Sequence, residues 1–184
     1  MHRFLVMRVL VGVGLQAVTG VSAYSQTPSP REVLKHFCDI DAQGEQLSPD
    51  GRKKVAALFV SPGAPRRTTI IVVRDFVVSL PALEGDGAEF YVEYVELGRI
   101  DTSKLSFSSR LPPGIKVRAG FYVVKQPGSG SGAAVEWKIQ GPVPEPHLTV
   151  DAAIRYVAEL RAGAKDVAIR RNVDKTLATL KHFR

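Results

Sequence analysis

The sequence predicts an α+β fold, with helices packed on a curved, mostly antiparallel sheet and extra helices at the C-terminus. Three observations carry this. Two early segments each open on Ser-Pro and continue with apolar residues at helical spacing. Four β-rich segments then follow in a run. Two further amphipathic segments come last. Strands grouped together, with helices before and after, point to a sheet covered by helices rather than to alternating βαβ units.

Residues 1–25 are read as a secretory signal and kept out of the fold. Arg3 and Arg8 make a positive start, Val9 to Val18 is a short apolar run, and small residues follow at cleavage spacing. That places the protein in an exported, periplasmic or extracellular setting. Residues 26–162 are then the α+β domain, and 163–184 a basic amphipathic helix.

In "SPREVLKHFCDIDAQG", Ser29 is placed to cap a helix, with Pro30 at its first position and Glu32 at its third. Val33, Leu34, Phe37 and Cys38 share one face, and Gly44 can stop the helix. "LSPDGRKKVAALF" repeats the device from Ser48, with Val55, Leu58 and Phe59 as the buried stripe and Gly51 weakening the first turn. Thr68 to Leu80 is β-branched almost throughout and apolar on both faces, as expected of a central strand, interrupted by Arg74 and Asp75. Ala88 to Leu97 is a second strand. Ile115 to Lys125 alternates, with Lys116, Arg118 and Tyr122 opposite the apolar set. "AVEWKIQ" places Val135, Trp137 and Ile139 inward. The prolines of "GPVPEPH" keep the next link extended. Thr149 is placed to cap "VDAAIRYVAEL", and Ile169, Val173, Leu177 and Leu180 form a narrow stripe on the last helix.

The net charge of +7 over 184 residues is unevenly placed. The last 24 residues carry seven basic side chains against two acidic ones, while Gln26 to Leu160 holds 16 of each sign. The basic character belongs to a tail, which excludes a general nucleic-acid-binding surface. One cysteine in an exported chain leaves no internal disulfide. Cys38, on an apolar helix face, reads as a small buried hydrophobe.

The opening "SPREVLKHFCDIDAQGEQLSPDG", the strand series ending in "VEWKIQG" and the following "PHLTVDAAIRYVAEL" resemble the nuclear transport factor 2-like superfamily, with its ketosteroid-isomerase-like and polyketide-cyclase-like members. The resemblance spans about Ser29 to Gly141. The two helical segments after the last strand depart from it. It implies a sheet curled into a cone around a cavity, often paired through the sheet with a second copy.

The resemblance also implies a carboxylate base and a tyrosine in an apolar cavity. The pocket candidates are Asp75, an acid among Ile, Val and Phe, with Tyr94, Tyr122 and Trp137; Asp41, after the first helix, is a further acid. The competing reading of Asp75 is a bulge shared with Arg74. No catalytic motif is matched residue by residue, so no catalytic residue is assigned. His36, His147 and His182 have no metal-ligand spacing, and "GSGSG" lacks the ending of a phosphate loop, so no metal or cofactor is expected. Arg170, Arg171, Lys175 and Lys181 could meet an anionic membrane surface or an acidic partner. The preferred reading is a helix docked on the domain with these charges in water.

The expectation is a non-enzymatic exported domain that binds a small apolar ligand or a protein partner. An isomerase- or cyclase-like enzyme using Asp75 with Tyr94 or Tyr122 is the alternative.

Overall fold

The computed structural model describes residues 27–63, 68–110, 112–128 and 135–184. The segment read as a secretory signal lies outside them. Among the described residues no helix is long and apolar enough to cross a membrane.

The chain folds as α1 (Pro30–Ala42), a 3-10 turn at Glu45–Leu47, α2 (Pro49–Ala57), β1 (Thr69–Val78), β2 (Ala82–Glu84), β3 (Gly87–Asp101), β4 (Ser106–Ser109), β5 (Ile115–Gln126), β6 (Glu136–Gln140), β7 (His147–Thr149), α3 (Val150–Gly163) and α4 (Val167–His182). The class is α+β, as expected: four helices on a curled, mixed half-barrel sheet. The strand order is β6-β5-β3-β1-β7, with β2 and β4 pairing along the two ends of the long β3. Among these strands all pairings are antiparallel except that of β7, which runs parallel to β1; Phe59 adds an isolated parallel bridge to Ile139.

The caps form where the sequence places them. Ser29 and Glu32 close a reciprocal capping box on α1. Ser48 accepts from the Gly51 amide at the start of α2, and Thr149 from the Ala152 amide at the start of α3. Gly44 follows α1 with φ of 77°, a conformation that favours glycine. Gly51 does more than weaken its turn. A Cβ there would lie 1.9 Å from the Glu45 carbonyl oxygen, so only glycine lets α2 pack this closely on the 3-10 turn.

Two apolar cores form, one on each face of the sheet. The first joins Val33, Leu34, Phe37 and Cys38 of α1 and Val55 and Phe59 of the α2 region to Ile71, Val73, Phe90, Val92, Tyr94, Phe121, Val123 and Ile139. The second joins Ile70, Val72, Leu97 and Ile100 to Leu148 of β7, Val157 of α3, and Val173 and Leu180 of α4. The last helix is thus docked on the domain. Its Thr176 hydroxyl accepts from the Phe107 amide and donates to the Leu105 carbonyl. Arg170, Arg171, Lys175 and Lys181 all face solvent. Asp166 is exposed and caps α4 through the amides of Ala168 and Ile169.

Several strand expectations need correction. The second strand runs on to Asp101, because a bulge at Leu97 switches which side chains face which core. Val135 was expected inward, but it precedes β6 and is exposed. Three short strands, β2, β4 and β7, carry no alternation long enough to stand out in the sequence.

Candidate functional site

The sequence-derived pocket residues do not converge. Asp75 and Arg74 are both exposed, pushed out at a bulge where these two residues of β1 oppose one of β3. A buried, desolvated base at Asp75 is therefore corrected to a solvated bulge residue, the competing reading of this position. Tyr94 lies in the first core. Tyr122 lies on the opposite face of the sheet, over Gly87, where an added Cβ would meet its hydroxyl oxygen at 2.2 Å. Trp137 is half-buried at the margin of the first core, with Lys125 Nζ 5.3 Å above its ring.

The concave face is packed with side chains. Phe37 meets Phe59 edge-on at 5.2 Å and Phe121 at 5.9 Å. Phe90 and Val92 beneath them are fully buried. The space that the resemblance would leave for a ligand is occupied by this aromatic cluster.

A polar cluster lies inside the fold at the end of α1. Asp41 belongs to the last turn of α1, not after it, and is 1% exposed. Its Oδ1 accepts from the His147 amide at 3.0 Å and from Gln46 Nε2. Its Oδ2 lies 3.4 Å from His147 Nδ1 without hydrogen-bond alignment. The Tyr94 ring stacks on the His147 imidazole at 4.0 Å, and its hydroxyl lies 3.9 Å from Cys38 Sγ. Burial raises Asp41 above the usual carboxylate range, against the hydrogen bonds from His147 and Gln46. Burial likewise pushes the Cys38 thiol up to about 12 and the Tyr94 phenol further still. Cys38 is therefore a thiol at neutral pH, not a nucleophile. The carboxylate ties the end of α1 to the 3-10 turn and to β7. Its main work is to satisfy two buried donors at a three-way joint. Sequence spacing could not show this joint, since 106 residues separate Asp41 from His147.

The exposed chemistry lies on the other face of the sheet. α3 and α4 cover only the end of that face near Ile70, Val72 and Ile100. At the far end Val77, Glu93 and Arg118 lie side by side across β1, β3 and β5. Val77 is 62% exposed and Tyr91 42%. They border a shallow depression of about 260 Å³ with Ser79. The Arg118 guanidinium stacks 5.7 Å from the Tyr91 ring centroid. Glu93 pairs with Lys116 at 2.7 Å and approaches Arg118 at 3.9 Å, and Lys116 holds its carboxyl below the usual range. Tyr91 donates its hydroxyl to Glu89 at 2.8 Å, which raises the phenol pKa.

No protein-family model, curated protein or solved structure matches the chain. Among the described residues no cluster of three or more His, Cys, Asp or Glu side chains could hold a metal ion.

Proposed function

We propose that this chain is a non-enzymatic binding domain that pairs with a second copy of itself through the uncovered outer face of its sheet. The observation that carries the reading is Val77 and Tyr91, two large apolar groups left open beside a stacked arginine. Tyrosine and arginine are the residue types that dominate binding energy in interfaces, and a stacked pair is already ordered. The charges favour a like partner. Glu89 and Glu93 carry one sign and Lys116 and Arg118 the other, all on the same face. A two-fold operation can set each sign against its opposite. The resemblance to the nuclear transport factor 2-like superfamily, where pairing through the sheet is common, points the same way.

The experiment is native mass spectrometry of the mature chain across about 1 to 100 μM, a range that detects pairing of ordinary strength. The expected result is a dimer that gives way to monomer in Tyr91→Glu and in Arg118→Glu. A monomer at every concentration sinks the proposal.

A further inference from the structure

A second depression has different chemistry and shares no residue with the sheet face. It measures about 140 Å³ and opens where α2 faces the link leading to β7. Val55, Ala56, Pro62 and Val143 form its apolar walls, and Gln46 and Arg52 supply its polar groups. An apolar cavity of about 150 Å³ is enough to admit benzene, so this one has room for a single ring.

Both polar groups are held and incompletely used. Gln46 is only 4% exposed, and its Nε2 donates to the Asp41 carboxylate. Asp41 Oδ1 also receives the His147 amide, and with Nε2 directed at it the Gln46 Oε1 is turned away. Among the described residues that Oε1 receives no hydrogen bond. Arg52 is tethered by Nη1 to the Leu47 carbonyl at 3.0 Å. Its helix neighbours Lys53 and Lys54 are paired with Asp50 and Glu45, whereas Arg52 has no carboxylate partner among the described residues. An anchored but unpaired guanidinium at an apolar cavity is suited to a carboxylate.

We infer that this cavity binds a small monocyclic aromatic acid carrying a hydroxyl. The ring lies between Val55, Pro62 and Val143, the carboxylate meets the free edge of Arg52, and the hydroxyl donates to Gln46 Oε1. Each part answers a different feature of the lining. The apolar walls take the ring, the cation sets the sign of the ligand, and the lone acceptor selects a donor substituent.

The test is a titration of the full chain with benzoate, 3-hydroxybenzoate, 4-hydroxybenzoate and the neutral benzyl alcohol, followed by NMR of the Gln46 side-chain amide and the Val143 methyl groups. Saturable shifts are expected with the acids, strongest with one hydroxybenzoate. Arg52→Gln should weaken acid binding by about tenfold or more, the usual worth of a charge-assisted hydrogen bond, and leave benzyl alcohol unaffected. Val143→Phe should block all four while the protein remains folded, as read from its remaining amide signals. No saturable shift up to about 10 mM, a range that detects even very weak binding, overturns the inference. So does equal affinity for benzyl alcohol and the acids, or an Arg52→Gln protein that binds as the parent does.

Discussion

The two halves of β1 are written in the same β-branched residues and meet different fates. From Ile70 to Val73 every side chain is buried, with Ile71 and Val73 in the first core and Ile70 and Val72 in the second. Beyond the bulge at Arg74 and Asp75, Val78 is still buried but Val77 stands mostly in water. Composition does not separate these halves. What separates them is the reach of α3 and α4, which cover one end of the outer face and leave the other open. A face that needed only to be solvated would have little use for Val77 and Tyr91. With the stacked Arg118 they form the open end on which the pairing proposal rests.

The comparison breaks most easily at its covered parts. Phe37→Ala removes a ring that touches both Phe59 and Phe121. It should cost about 3–5 kcal/mol in urea unfolding, the range for aromatic deletions in a packed core. Leu180→Ala should cost about 2–5 kcal/mol if α4 belongs to the second core as Val173, Thr176 and Leu180 indicate. An unchanged urea midpoint in Leu180→Ala would make α4 an appendage and leave α3 alone over the covered end of the outer face.

The joint between the two cores should respond next most strongly. Asp41→Ala leaves the His147 amide and Gln46 Nε2 without their acceptor, which should cost about 2–4 kcal/mol. Asp41→Asn keeps an oxygen for both donors and should cost less. The two proteins also separate hydrogen bonding from charge. Burial raises the Asp41 pKa, so the native state holds this proton at pH values where the unfolded chain has released it. The stability linked to that proton is complete below about pH 4, the unfolded carboxylate range, and is lost as pH rises through the native pKa. The difference in stability between parent and Asp41→Asn should therefore shift in favour of Asn as pH rises through that window. A pH-independent difference between them would show that Asp41 is not held protonated by burial.

How much of this was legible follows from how far apart the interacting residues lie. The caps at Ser29, Ser48 and Thr149 were readable because each signal lies within a few residues of what it stabilises. The helical stripes of α1 and α4 were readable because periodicity is local. β7 was not, since a three-residue parallel strand has no alternation of its own and is defined by Ile71 and Val72 across the fold. Asp75 was misplaced as a pocket acid because its apolar neighbours suggested burial, while the bulge that exposes it depends on register with β3. Asp41 was noticed as an acid near a helix end, but its partner His147 reaches it only through the parallel docking of β7. Arg118 and Tyr122 were correctly set against the apolar face of β5. Nothing local could show that α3 and α4 stop short of them.

The smallest expected effect is also the sharpest test, because it makes one substitution at two sites of one strand. Val73→Thr buries a hydroxyl where the parent side chain is fully enclosed, and should cost about 1–3 kcal/mol. Val77→Thr places the same hydroxyl in water and should change monomer stability by no more than about 0.5 kcal/mol. Measured in dilute solution, the pair should differ as the two halves of β1 differ. Measured at concentrations where copies associate, Val77→Thr should acquire a cost that rises with protein concentration, because a second copy stabilises the native state by mass action. If both substitutions cost the same in the dilute monomer, the open end is covered within a single chain, and the pairing surface proposed for Val77, Tyr91 and Arg118 does not exist.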